Sequence, residues 1–312
     1  MILITGGTGF IGKALIRHLT EMGYPVRTLV RPSPRSPALP TGVPVEVTVS
    51  SLTDERGLRA AMVGIDTVFH LASSERQGGR SNLMDIEIQG TRNVVQAAAD
   101  AQVKRIFFLS HLGADRASAF PVLKAKAIGE EFVRRSGLDY TIIRSAVAYG
   151  LNDGLTTGIA RLLSAISWIF LIPGNGEVLV QPIWVEDLVT CLAWALEDSE
   201  TRNRTIDIGG PEYLSFRQIV EMVMEATRTR RTLVHVFPPY LRGFTVLMES
   251  IFPGFPTTVY WLDYLAANRT TSLDTVPRVF GLMPSRMSQR MAYLEGQNWQ
   301  VSLARTLIRS RS

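Results

Sequence analysis

Three of the four glycines in Thr5-Gly6-Gly7-Thr8-Gly9-Phe10-Ile11-Gly12, those at 6, 9 and 12, are the residues best suited to hold a ligand. They follow an apolar run, Ile2 to Thr5, and open a stretch whose apolar residues recur at helical spacing. In a strand, turn and helix of this kind, one glycine permits the tight turn. A second lets the backbone approach a pyrophosphate, a third packs helix against strand, and the helix N-terminus offers N–H donors and positive dipole. Gly6, Gly9 and Gly12, with Thr8, Phe10 and Ile11 between them, are therefore the expected dinucleotide contacts. Nineteen positions after Gly12 stands Arg31, in Val30-Arg31-Pro32, with Arg27 and Arg35 nearby. An acidic residue there would take the ribose hydroxyls of NAD, whereas a guanidinium suits a ribose phosphate. NADP(H) is the expected cofactor, with NAD(H) as the alternative; the competing assignment for Arg31 is a solvated residue in a Pro-rich loop.

Other residues invite chemistry less directly. Ser110 and His111 follow the apolar run Ile106 to Leu109, so they stand near the carboxyl ends of strands, where open α/β sheets bind ligands. Ser110 reads as a pocket hydroxyl or a turn cap, and His111 as a proton donor or a packing residue. Ser118 could present a hydroxyl. Asp187 caps a helix and fixes the second half of the chain, and Cys191 packs on that helix's apolar face. Four His and one Cys show no metal-ligand spacing, so no metal is expected.

The elements that must position these residues are legible as alternation. Strand patterns over Ile2 to Thr5, Val26 to Val30, Val45 to Val49, Thr67 to Leu71, Arg105 to Leu109 and Tyr140 to Arg144 are separated by helical ones. The helices are Gly9 to Met22, Asp54 to Met62, Leu83 to Asp100 and Phe120 to Ser136. This is a doubly wound parallel α/β sheet with right-handed crossovers. Residues 1–150 form the dinucleotide domain; residues 151–312 form a smaller C-terminal α/β lobe for substrate or partner, interleaved with the sheet. The lobe reads as helices Leu155 to Trp168, Val185 to Leu196 and Ser215 to Thr227, with strands around Val178 to Ile183 and Asn203 to Ile208.

The composition fits such a fold. The chain has 312 residues, 46% of them hydrophobic and 20% charged, which excludes disorder, and one Cys, which excludes a disulfide scaffold. Its 33 Lys and Arg against 28 Asp and Glu give +5, but the cations are scattered and nucleic acid is not an expected partner. The opening MILITGG leaves no room for a targeting leader, so a cytoplasmic location is expected. The apolar stretch Leu162 to Ile172, as a helix at ~1.5 Å per residue, reaches about 17 Å against roughly 30 Å of hydrocarbon, so it packs in a core, forms a lid or lies at an interface. The cations Arg228, Arg230, Arg231, Arg305, Arg309 and Arg311 make solvated faces, or attach the protein peripherally to anionic lipid beside Trp168 and residues 244–255.

The glycine motif, Phe69-His70-Leu71-Ala72, Gly90-Thr91-Arg92-Asn93-Val94, Val185-Glu186-Asp187 and Ile208-Gly209-Gly210-Pro211-Glu212 resemble an extended or atypical short-chain dehydrogenase/reductase. Through Ser110-His111-Leu112-Gly113 to Tyr149-Gly150 the chain is similar to the NmrA-like branch and to the Rossmann-fold accessory subunit of respiratory complex I. The resemblance covers residues 1–225 or so. It implies a Rossmann domain under a smaller lobe, with Leu71 and Ala72 also against the cofactor, Ser110 holding the reacting oxygen and Lys124 holding the nicotinamide ribose or a proton. The family's catalytic Tyr, four residues before the Lys, is replaced by Phe120; Ser51, Glu87 and Ser145 are further departures. A positioned acid–base group contributes ~10²–10⁴-fold, so ordinary ketone reduction or sugar-nucleotide epimerisation should be impaired. The expected function is NADP(H)-dependent oxidoreduction of a small apolar or quinone-like molecule. The alternative is a catalytically silent redox sensor or an assembly or accessory protein of a membrane complex; a nucleotide-sugar epimerase or dehydratase comes third.

Overall fold

The computed structural model describes residues 1–34, 36–252 and 254–309. Arg35 and Arg311, among the cations named above, lie outside the described residues, as does the side chain of Arg309. The first half alternates β1 (Ile2–Thr5), α1 (Phe10–Glu21), β2 (Val26–Val30), β3 (Val45–Val49), α2 (Glu55–Ala61), β4 (Thr67–His70), α3 (Thr91–Asp100), β5 (Arg105–His111), α4 (Pro121–Arg134) and β6 (Asp139–Ser145). The second adds β7 (Ala148–Tyr149), α5 (Thr156–Ala165), β8 (Ile169–Pro173), β9 (Leu179–Val180), β10 (Ile183–Trp184), α6 (Val185–Glu197), β11 (Arg204–Ile208), β12 (Leu214–Ser215) and α7 (Phe216–Ala226). It ends with β13 (Thr232–Val236), α8 (Pro238–Ile251), α9 (Val259–Tyr264), α10 (Thr275–Phe280) and α11 (Trp299–Arg309).

Seven parallel strands form the central sheet in the order β11-β6-β5-β4-β1-β2-β3. β1 and β4 are buried at every residue, so neither shows the apolar/polar alternation of a half-exposed strand. The chain winds outward from β1 through β2 to β3, then returns to place β4 on the other side of β1. That reversal opens a crevice at the carboxyl ends of β1 and β4, the position where doubly wound sheets bind ligands. The seventh strand, β11, comes from the second half of the chain, and α6 packs against α1 within one apolar cluster that includes Leu15, Leu19, Leu188 and Leu192. A cut at residue 150 would therefore divide both the sheet and the core.

Three elements differ from their sequence patterns; the strand expected around Val178 to Ile183 is two short ones, β9 pairing with β12 and β10 with β7. The helix expected over Leu83 to Asp100 begins as a π-helical segment, Leu83–Gly90, before continuing as α3; such windings favour functional sites, and this one carries the buried Glu87. The apolar stretch Leu162 to Ile172 is two elements: α5 ends at Ala165 and β8 begins at Ile169, paired with β13. An apolar stretch broken only by Ser164 and Ser167 has too little periodicity to reveal the change. A second apolar core joins α5, β8, α7 and α9 through Ile159, Phe170, Ile219 and Trp261. Ser215 caps α7, its side chain accepting from the Gln218 N–H while Gln218 returns the bond. Among the described residues no helix is long and apolar enough to cross a membrane.

Candidate functional site

The turn after β1 is built by glycine sterics. Gly6 has φ +78°, and a Cβ on it would lie 2.7 Å from the Ala72 nitrogen and from the Leu71 carbonyl carbon, so the backbone after β4 presses directly on it. A Cβ on Gly12 would lie 2.2 Å from the Gly6 carbonyl oxygen, which is why helix and turn meet only through glycine. α1 starts at Phe10 with Gly9 as N-cap, no capping side chain and no acidic residue in its first turn. Its positive end therefore faces a cleft of about 490 Å³ rather than a protein carboxylate.

The structure places Gly6, Thr8, Gly9, Phe10, Ile11, Gly12, Arg31, Leu71, Ala72, Ser110 and His111 on the wall of that one cleft. Arg31 is exposed at its edge with Ser33, Ser36 and Ser51. Arg27 is not available to a cofactor, because its guanidinium bonds Glu46 (2.8 Å) and the Ala61 and Val63 carbonyls. A glycine turn and an uncapped helix end fit the pyrophosphate of a dinucleotide.

Lys124 is not brought there. It is exposed and absent from the cleft wall, whereas Lys126, two residues on, is 3% exposed and lines the cleft. Two residues are about 200° apart on a helix, so the lysines face opposite ways. The residue one turn before Lys126 is Val122, so the phenol is missing in this register as well as at Phe120. Lys126 forms an ion pair with Glu87 at 3.0 Å, has Glu75 at 4.0 Å and donates to the Leu109 carbonyl. Burial alone would depress its pKa; the carboxylates of Glu87 and Glu75 outweigh burial and raise it, so Lys126 stays charged. Glu87 also accepts from the Ser73 hydroxyl (2.6 Å) and the Ser74 N–H (2.7 Å).

Ser110 gives its hydrogen to the buried Glu130 carboxylate at 2.6 Å, and the same carboxylate binds Arg144 and Arg134. Burial pushes the Glu130 carboxyl up, but Arg144, Ser110 and Arg134 together hold it below the usual range. His111 Nε2 lies 2.6 Å from Glu75, and Nδ1 is buried with no hydrogen-bond partner among the described residues. A buried nitrogen of this kind is a position for a ligand oxygen or a water. Beneath the cleft, His70 bridges Thr5 and Thr91; burial, then Lys126, lowers its pKa to about 3, so it is a neutral structural residue.

The remaining candidates are structural. Ser118 accepts the Phe120 N–H in the turn before α4. Asp187 does not cap α6, whose N-cap is Trp184; from the first turn it accepts the Ser285 N–H at 2.7 Å and so anchors the C-terminal segment. Cys191 is fully buried, its thiol pushed up to about 12 by burial and then by Asp187. Sequence patterns missed Ser73, Glu75, Lys126 and Tyr260, all on the cleft wall. For Lys126 a signal existed: it shares a stripe with Gly129 and Val133, which face the core.

Fold and cleft together define a nicotinamide-dinucleotide-binding Rossmann protein of the atypical short-chain dehydrogenase/reductase type. The chain belongs to the NAD(P)H-binding family, whose model matches residues 6–164. It is 26% identical to "Sterol demethylase protein B" of Methylococcus capsulatus, over 95% of this chain and 97% of that one. It is also 26% identical to the mitochondrial "NADH dehydrogenase [ubiquinone] 1 alpha subcomplex subunit 9" of Arabidopsis thaliana (86% and 70%), and 23% identical to "Photosystem II assembly factor Ycf39" of a Synechocystis (94% and 89%). The UDP-glucose 4-epimerase of Thermotoga maritima, solved with UDP-glucose, shares the fold with a TM-score of 0.71 and 22% identity, over 98% of this chain and 99% of that one.

Proposed function

We propose that the protein is an NADP(H)-dependent oxidoreductase for a small apolar carbonyl or quinone-like substrate. The observation that carries this reading is that the dinucleotide cradle and the His111–Glu75 pair line the same cleft. The Gly6 to Gly12 turn and the first turn of α1 would hold the pyrophosphate, and Arg31 the ribose phosphate. When bound, a reduced nicotinamide supplies the hydride that substrate carbon accepts. The substrate oxygen then needs a proton. Ser110 has committed its hydrogen to Glu130, and Lys126 is held by two carboxylates. His111 therefore supplies the proton from Nδ1, and Glu75 on Nε2 fixes the ring.

Titration calorimetry with NADPH and NADH tests the cofactor. Arg31→Ala should weaken NADPH about tenfold, the lower end for an exposed charge-assisted bond, and leave NADH unchanged. Equal loss for both, or no loss, overturns the preference. Turnover of apolar ketones and quinones with NADPH tests the reaction, and His111→Gln should lower kcat by about 10²-fold with NADPH affinity retained.

A second reading, favoured by the mutual commitment of Ser110, Glu130, Lys126 and Glu87, is a dinucleotide-binding accessory or assembly factor of a membrane complex. Two of the relatives carry names of that kind. NADPH binding without turnover of any substrate class would favour it.

A further inference from the structure

A second cavity, of about 210 Å³, lies in the C-terminal lobe between α5, β8, α8 and α9. Its wall includes Leu155, Ile159, Phe170, Leu241, Trp261 and Leu265, and among the described residues no charged side chain. None of its wall is shared with the dinucleotide cleft: α9 is the partition, with Tyr260 on the cleft side and Trp261, the next residue, on the cavity side. Ile166 and Phe244 line the cavity while remaining 41% and 46% exposed, so it opens to the surface between them.

The surface around that opening is apolar where it should be polar. α8 turns Leu241, Thr245 and Glu249 inward, yet its outer face shows Tyr240, Phe244, Leu247 and Ile251, one stripe at helical spacing. Trp168, at the head of β8, is 74% exposed, and Phe237 stacks edge-on against Tyr240. Exposed aromatic and aliphatic side chains in such a group mark an interaction face.

Charge selects the partner. Residues 155–176 and 228–265, which build the cavity and its surroundings, carry five arginines, at 161, 228, 230, 231 and 242, against two carboxylates. Both carboxylates are engaged: Glu249 is buried and accepts the Gly79 and Val259 N–H groups, and Asp263 pairs with Arg242. Arg228 and Arg230 are exposed. An apolar helix face with interfacial aromatics and flanking cations, where both carboxylates of these segments are engaged, is the pattern of a helix lying in an anionic membrane surface.

We propose that this face docks on an anionic bilayer and that the cavity takes one hydrocarbon chain of a bilayer lipid. The site is independent of the oxidoreductase reading, since its ligand and its residues are different. The test uses vesicles of phosphatidylcholine alone, or with phosphatidylglycerol in equal parts, each also made with chain-brominated phosphatidylcholine. Expected are co-sedimentation with the mixed vesicles only, and bromine quenching of tryptophan fluorescence that falls when Trp261→Phe removes the cavity tryptophan. Phe244→Asp with Leu247→Asp, both on the exposed stripe, should weaken vesicle binding by about ten- to a hundredfold. Ala165→Phe, at the exposed rim, should preserve co-sedimentation and abolish the Trp261 component. NADPH affinity should stay unchanged in all three variants, which certifies their fold and separates this outcome from the cofactor question. Absence of wild-type binding to mixed vesicles overturns the proposal. So does quenching indifferent to Trp261→Phe, or self-association in light scattering that the stripe substitutions abolish, which would make the face a protein interface.

Discussion

Replacing Glu87 by Gln isolates the charge that keeps Lys126 in the cleft. The amide preserves an oxygen for the Ser73 and Ser74 donors, so the change is confined to the ion pair at 3.0 Å. Both partners are almost fully buried, 3% and 1% exposed, so solvent cannot take over the lysine's charge. Breaking a buried pair from one side costs ~3–5 kcal/mol. Glu75, at 4.0 Å, still faces the ammonium, which sets the expectation at the lower end, about 3 kcal/mol. At roughly 2.1 cal/mol/K of unfolding entropy per residue, a chain of 312 residues unfolds with about 0.65 kcal/mol/K, so the melting midpoint should fall by about 5 °C.

The pH dependence gives the sharper test, because its sign reverses. In the wild type the carboxylates raise the Lys126 pKa, so its contribution is fully present below the ordinary lysine value and is lost as pH rises through the raised one. In the variant, burial has one carboxylate fewer to oppose it and the folded pKa moves down. The folded state then gains relative to the unfolded one as the lysine deprotonates, and the gap between the two proteins should narrow from about pH 7 to about pH 10. Thermal melts across that range decide it. A midpoint shift under about 1 °C, or a gap that widens with pH, refutes the electrostatic account of the site.

Gly12→Ala should cost ~1–3 kcal/mol of stability and disrupt dinucleotide binding, because its methyl would enter the Gly6 carbonyl; unchanged melting and NADPH affinity would show that the turn can relax. The His70 imidazole should stay neutral in NMR titrations from about pH 7 to about pH 4. Its depressed pKa implies stability present above the ordinary histidine value and lost as pH falls towards about 3; an imidazole titrating near the ordinary value would contradict the buried geometry. Cys191, with its thiol pushed up to about 12, should react with Ellman's reagent only on unfolding, and rapid stoichiometric labelling of the native protein would refute its placement in the core.

The first half of the fold was legible in the sequence because its signals are local. Short β-branched-rich runs separated by helical patterns fit strands buried on both faces, and glycines at 6, 9 and 12 mark a turn where a Cβ would collide. Arg31 stood at the end of β2 for the same reason, since a strand's end and the residue after it are set by a few neighbours. The stretch from Leu162 to Ile172 was not legible, because an apolar run fits a helix or a strand until β13 supplies a partner for β8.

Tertiary structure decided what stands in the cleft. Lys124 and Lys126 are two residues apart on one helix; the stripe with Gly129 and Val133 turns Lys126 inward, but only Glu87 and Glu75, arriving from other segments, supply the charge that holds it there. Ser110 was placed correctly at a strand end, but only the buried Glu130, held by Arg144 and Arg134, determines where its proton points. The sequence by itself specified the sheet and the dinucleotide turn, which follow from sterics and burial along the chain. The ion pairs and the docking face depend on distances between residues far apart in it, and those distances exist only once the chain has folded.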